Sequence, residues 1–299
     1  MTDNLRGILA VLVSSVAFIF NDVCVKLVSD ELPSGEIIIV RGVLATAMLA
    51  AGVVAMGAVR PLSLLFTPMM LLRLASAAGA TVFIVLSLRY LPLATVITVL
   101  QVTPLAVTAG AAIIFRERVG LSRWLAALTG FLGVVLIVRP GAGFGAAGYL
   151  ALATLLFTTT RDLTTKGLHH HIPSIFVAAG SAAAITLAGI LVAPFDTAWQ
   201  MPSGRAWGLM ILSAACLFVA NTAMIMALRA GEMSVIAPFR YVMVPLALLL
   251  GFWLWGDIPD GIASLGIALV LGAGLYTLHR ERAGLTRKPT PTPQRSPAE

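Results

Sequence analysis

The sequence holds 299 residues, 59% of them apolar and 11% charged, with a mean hydropathy of +0.97 and a formal net charge of +7. Soluble domains carry about 25% charged residues, so this composition excludes an ordinary soluble protein and leaves room for about ten bilayer-crossing helices of roughly 20 residues. The arginines stand at span ends and in the C-terminal tail rather than in one basic patch, so the charge reads as membrane orientation and no nucleic-acid partner is expected.

In chain order, the first apolar run follows Arg6 and continues past Phe20 into Asn21-Asp22 with no small-x-small cleavage site, so it is expected to be retained as a helix. Ten spans are predicted at about 6–28, 35–57, 69–90, 94–115, 122–139, 146–166, 173–193, 206–229, 234–256 and 260–280. The connections are short and marked by Pro or Gly, as at Pro33, Pro61, Pro92, Pro140-Gly141, Pro173, Pro202, Gly231 and Pro259. Residues 284–299, rich in Pro, Thr and Arg, cannot bury a core and are expected to form a disordered tail. Cys24 and Cys216 both lie in apolar stretches and read as buried small hydrophobes, not as a disulfide.

The chain repeats itself. Asp22-x-x-x-Lys26, followed by Pro33-Ser34, recurs as Asp162-x-x-x-Lys166, followed by Pro173-Ser174, and two of only three lysines occupy these matched places. The same 140-residue offset pairs Arg89 with Arg229 and Glu117 with Asp257, and a one-residue slip pairs Pro104 with Pro245 and Gly133 with Gly274. The expected organisation is a first five-helix repeat at 1–140 and a second at 141–283. Because five is odd, the second copy enters the membrane inverted, an architecture that builds a central site between two halves. Basic residues at span ends (Arg6, Arg60, Arg73, Arg116, Arg118, Arg123, Lys166, Arg229 and the tail, against Lys26, Arg89, Arg139 and Arg205) predict cytoplasmic termini.

The stretch Ser87-Leu-Arg89-Tyr-Leu-Pro-Leu-Ala94-Thr-Val, then Pro104, Arg116-Glu117-Arg118, Gly130 and Gly133, resembles the repeat signature of the drug/metabolite transporter superfamily, in particular its EamA-type exporters. The second half repeats it as Ala227-Leu-Arg229-Ala-Gly-Glu-Met-Ser234-Val-Ile, Pro245, Asp257, Gly266 and Gly274, with Asp257 where members usually carry Glu. The resemblance is closest to bacterial exporters of aromatic and other neutral amino acids. It implies ten helices around a central cavity, residence in the bacterial cytoplasmic membrane, an amino-acid substrate, no cofactor and no ATPase subunit. A monomer is expected.

The polar residues inside spans are the functional candidates. Asp22/Lys26 and Asp162/Lys166 stand at i,i+4, where each pair shares a helix face and can neutralise itself. Arg41, at the depth of Asp22 in the neighbouring span, is expected to pair with it; Ser181 occupies the matched place in the second copy, so this pair is expected on one side only. These five charged residues are the candidate gate. Arg161 points about 100° away from Asp162, and its counterpart is Asn21; if that face lines the cavity, Arg161 can hold a substrate carboxylate. Arg240 is a similar candidate that lies nearer an anchoring position. Pro104, Pro238 and Pro245 free the carbonyls of Leu100, Ser234 and Tyr241, as broken helices beside a watered cavity do. Thr98, Gln101, Thr103, Asn221 and Tyr241 supply nearby polar groups, with Phe83, Phe218, Phe239 and Met224 as apolar bulk.

Several signals fail. His169-His170-His171 cannot converge from one helix face on a metal, and Gly141-Ala-Gly-Phe-Gly145 lacks the Lys-Ser/Thr of a phosphate loop. No nucleophile–base motif suggests an enzyme. The expected function is export of amino acids and related small metabolites by alternating access. Broad drug or metabolite efflux and a passive scaffold are the rival readings.

Overall fold

The computed structural model describes residues 3–114, 116, 120–139, 145–168, 172–196, 199–230 and 237–285, and nearly all of them are helical. The helices are α1 (Asp3–Ser29), α2 (Ser34–Ala55), α3 (Pro68–Tyr90), α4 (Leu93–Leu100), α5 (Thr103–Ile114) and α6 (Leu121–Val138) in the first half. In the second half they are α7 (Gly145–Gly167), α8 (Ser174–Val192), α9 (Gly204–Ala230), α10 (Met243–Trp255) and α11 (Gly261–Leu285). A 3₁₀ helix over Ala237–Val242 leads into α10. With α4–α5 forming one crossing, the described residues make ten spans, each within a few residues of the sequence expectation.

Among the described residues, seven spans are long and apolar enough to cross a membrane by themselves, and shorter apolar helices cover Phe239–Trp255 and Gly261–Thr277. The exception in the other direction is α7, whose run Thr158-Thr159-Thr160-Arg161-Asp162 makes it the most polar of the crossings. Thr159, Thr160, Thr164 and Thr165 satisfy their hydroxyls on the preceding turn, Thr159 donating to Leu155 O at 2.7 Å and Thr165 to Arg161 O at 2.6 Å. Such back-bonding lets a hydroxyl-rich helix sit in a low-dielectric environment without orphaned donors.

Local chemistry sets the boundaries. Pro33, Pro92 and Pro173 each stand at the residue before a helix, where a missing N–H costs nothing. Gly256, at φ +70°, ends α10 in the left-handed region that glycine tolerates, and its N–H caps Phe252 O at 2.9 Å. Between α4 and α5 the helix breaks at Gln101-Val102. Pro104 has no N–H to give Leu100, and the Thr103 hydroxyl takes that carbonyl instead, at 2.6 Å.

Tertiary packing follows the repeat. α1 lies on α9, α3 on α7, α2 on α8 and α6 on α11. A shift of five spans turns the α1–α9 pair into α7–α3 and returns the other two pairs to themselves. The pseudo-twofold axis is marked by residues that meet their own counterparts. Thr46 Oγ1 lies 3.4 Å from Thr186 Oγ1, midway along α2 and α8. Gln101 Nε2 donates to Arg240 O at 3.1 Å, beside its counterpart Tyr241. The α6–α11 crossing brings backbone against backbone: a Cβ on Gly133 would stand 2.7 Å from Gly266 O, and one on Gly266 2.6 Å from Gly133 O. Small residues permit this approach where lipid gives helices no hydrophobic reason to associate.

The inversion can be read along α3. Lys26 reaches Leu88 and Leu91 at one end, and Arg73 reaches Thr165, next to Lys166, at the other. The 15 residues from 73 to 88 span about 22 Å at 1.5 Å each. The two matched lysine positions therefore lie toward opposite faces of the bundle.

Candidate functional site: two related polar nodes

The first node joins α1, α2 and α9. Asn21 is its hub. Its Oδ1 accepts from Arg41 Nη2 at 2.9 Å and from Ser213 Oγ at 2.8 Å, while its Nδ2 donates to Asp22 Oδ1 at 2.9 Å. Asn21 and Asp22 are only 4% and 8% exposed. The expected direct Asp22–Arg41 pair is thus a bridged one, with a neutral amide passing hydrogen bonds between the two charges. The reason is register: Asn21, not Asp22, projects at the junction of the three helices.

Lys26 also departs from expectation. Instead of pairing with Asp22, its Nζ donates to Leu88 O at 3.0 Å and Leu91 O at 2.7 Å, and lies 5.3 Å from the centroid of the Trp255 ring. These carbonyls end α3 and have no intrahelical donor, so an ammonium there satisfies them and meets the negative end of the helix dipole. The lysine fastens α1 to α3 and α10. For Lys166 the backbone lies in α7, and its side chain is outside the described residues.

The second node joins α7, α3 and α8. Arg73 Nε donates to Thr165 Oγ1 at 2.9 Å, and its Nη1 to Ser181 Oγ at 2.6 Å. Arg161 folds onto its neighbour Asp162, with Nε and Nη2 at 2.9 and 2.8 Å from Oδ1. Asp162 and Arg161 both lie within electrostatic reach of Arg73 and Arg240. Although helix geometry separates the two side-chain origins by about 100°, the flexible guanidinium closes that gap.

The nodes correspond residue by residue. At the 140-residue offset, Asn21 and Asp22 become Arg161 and Asp162, Arg41 becomes Ser181, and Ser213 becomes Arg73. The arginine and the serine have exchanged helices. The arginine expected on one side only therefore exists on both, supplied by α2 in the first node and by α3 in the second. Arg73 and Ser213 were missed as site residues because each looks ordinary alone; the signal was the crossed pairing of Arg41/Ser181 with Arg73/Ser213.

The nodes differ in access. Arg161 and Asp162 have side-chain exposures of 37% and 40%, against the sealed Asn21 and Asp22. Ionised groups inside spans face protein or water-filled space, not acyl chains.

The other candidates are placed as follows. Thr98 is fully buried with its hydroxyl on Ala94 O at 2.7 Å, Gln101 is 9% exposed, and Thr103 is bonded to Leu100 O. All three are satisfied within the axis region. Tyr241 is 9% exposed and presses its hydroxyl against Gly274, where a Cβ would fall 1.9 Å away. Pro104 and Pro245 are exposed on their helices; Pro238 is in the 3₁₀ segment, its side chain outside the described residues. Phe218 and Asn221 lie on an exposed face of α9, and Asn221 Nδ2 returns to Leu217 O at 2.7 Å. The structure does not bring these two to Gln101 or Tyr241. Phe83 stacks on Phe157 across α3 and α7, with centroids 5.3 Å apart. The His169–His171 run and most of the Gly141–Gly145 stretch lie outside the described residues.

Ten crossings in two inverted fives, with paired ionisable nodes inside the spans, define a multi-pass membrane protein of the transporter-fold class. Residues 5–139, nearly the whole first repeat, match the EamA-like transporter family, of the drug/metabolite transporter superfamily. A riboflavin transporter of Vibrio cholerae is 33% identical over 58% of this chain and 59% of its own length. A pseudopaline exporter of Pseudomonas aeruginosa is 24% identical over 93% and 97%. An S-adenosylmethionine uptake transporter of Rickettsia felis is 22% identical over 66% and 67%. The chain spans less than two thirds of the length of two riboflavin transporters that it matches, from Vibrio cholerae and Rhizobium johnstonii. One solved crystal structure superposes with a TM-score of 0.64 at 19% identity, over 94% of this chain and 98% of that one, a likeness of fold.

Proposed function

We propose that the chain is a secondary transporter in a bacterial cytoplasmic membrane, with both termini cytoplasmic, and that it exports small carboxylate-bearing metabolites, neutral and aromatic amino acids foremost. The observation that carries this reading is one polar motif built twice, sealed at Asn21–Asp22 and accessible at Arg161–Asp162. Two related gates in unlike states are what alternating access requires of inverted halves. The repeats divide at about residue 140.

The accessible node supports a negatively charged group on the substrate. Among the described residues, Arg161 is paired with Asp162 and Arg73 and Arg240 lie within electrostatic reach of it, an excess of positive charge that a substrate carboxylate would offset. The Phe83–Phe157 stack lies deeper along the same α3–α7 seam. The relatives carry names for different cargoes and for both uptake and export, so they support passage of a small organic molecule without favouring amino acids. Riboflavin is the second reading, favoured by the relative that is 33% identical.

The test is flux in proteoliposomes holding the purified chain, with a panel of labelled amino acids and riboflavin, each with and without a pH gradient. Saturable amino-acid flux that Arg161→Ala reduces at least tenfold is expected. Riboflavin flux without amino-acid flux selects the second reading. No flux of any cargo, with Arg161→Ala and Gln101→Ala leaving resistance to toxic amino-acid analogues unchanged, returns the chain to a passive scaffold.

A further inference from the structure

On the sealed side, the connection from α1 to α2 meets the connection from α8 to α9 through carboxylates. Glu31 Oε1 accepts from Ser203 N at 3.0 Å, and Asp196 Oδ2 from Gly35 N at 3.1 Å. Glu36 Oε2 accepts from Gln200 N at 3.1 Å. Glu36 differs from the other two in being 1% exposed, and its Oε1 has no hydrogen-bond partner among the described residues. The same Glu36 side chain lines a cavity of about 60 Å³ together with Pro33, Ala193 and Trp199.

A buried carboxylate oxygen without a donor is costly, and natural proteins retain such a group where a ligand completes it. Nor does the fold require it. The matched residue in the second repeat is Phe176, equally buried at 6% exposure. The pocket also abuts the C-terminal end of α8, where helix carbonyls add negative potential. A carboxylate, a helix C-terminus and an indole together favour a cation, and an indole favours an organic ammonium in particular. The volume admits an ion or one –CH₂–NH₃⁺ end, not a whole solute.

We propose that the Glu36–Trp199 pocket is a binding site for one small ammonium group, whether free ammonium or the primary-amine end of a solute, on the face opposite the chain termini. Glu36 Oε1 accepts from the N–H, and Trp199 covers the cation. This site stands independently of the transport reading, because binding is measured without flux.

The experiment titrates the full-length protein in lipid nanodiscs with ammonium, methylammonium, sodium, potassium or N-methylglucamine chloride at matched ionic strength. It follows tryptophan emission and subtracts the Trp199→Phe protein to isolate Trp199. Saturable responses to ammonium and methylammonium, weakened at least tenfold in Glu36→Gln, are expected. Should Glu36→Gln fail to fold, Trp199→Leu, which alters an exposed side chain, is expected to weaken methylammonium protection against thermal unfolding by a similar factor. Equal responses to all salts, an unchanged response in Glu36→Gln, or saturation by sodium or potassium alone would overturn the assignment. Methylammonium binding to free ammonium's exclusion would indicate the amine end of a solute, and equal binding of both an ammonium ion site; either supports the proposal.

Discussion

Replacing Asn21 by Ala removes the hub of the sealed node while leaving its charges in place. Arg41 and Asp22 each lose a charge-assisted hydrogen bond, of the kind worth about 1.5–3 kcal/mol in soluble proteins, and Ser213 loses a neutral one. Inter-helix bonds inside membranes average nearer ~0.6 kcal/mol because the alternative state also finds partners. Three bonds then sum to between about 2 and 7 kcal/mol, and we take about 3 as the expected loss. At 1.4 kcal/mol per decade this favours opening of that side by roughly 100-fold. The chain supplies its own reporters: Cys24 is 3% exposed one turn from the hub on α1, and Cys216 lies one turn from Ser213 on α9. A membrane-impermeant thiol reagent added at the face opposite the termini should modify Cys24 some 10- to 100-fold faster in Asn21→Ala than in the parent. Thermal unfolding of both proteins checks that the fold is intact. If Cys24 stays equally slow in a folded Asn21→Ala protein, the node does not hold that side closed and the reasoning fails.

The crossed arginine and serine make a second prediction. Arg73→Ser and Ser181→Arg should each impair stability and flux, whereas the double variant rebuilds the arrangement of the first node and should recover at least half of both; a double variant as poor as the sum of its parts would break the correspondence. At the α6–α11 crossing, Gly133→Leu must displace backbone and should abolish folded protein in size-exclusion chromatography, while Gly272→Leu, where a Cβ meets nothing, should be tolerated. Outside the spans, Asp260 accepts from Ala263 N–H at 2.8 Å and from Arg139, and these bonds, the Ala263 one foremost, hold its carboxyl below the usual carboxylate range. A depressed folded-state value means that the stabilisation is present above the unfolded value near 4 and is lost as pH falls through the folded one. Thermal stability should therefore decline in that acid window, and Asp260→Asn should flatten the decline.

How much was legible in the sequence depends on the range of the interaction. Ten crossings, the helix break at Pro104 and the duplicated Asp-x-x-x-Lys phrase are properties of consecutive residues, because apolar length, a missing proline N–H and a repeat offset all act locally. Inversion followed from counting to five. What local reasoning misassigned were partners. Lys26 seemed destined for Asp22 one turn away, yet the unpaired carbonyls ending α3, 62 and 65 residues on, offered it better bonds. Asp22 and Arg41 shared a depth, but only the rotation of α1 against α2 and α9 decided that Asn21 would stand between them. The exchanged Arg73 and Ser213, and the Glu36 oxygen without a partner among the described residues, depend on helices distant in sequence, and only the packed bundle decides which oxygen is satisfied and which is not.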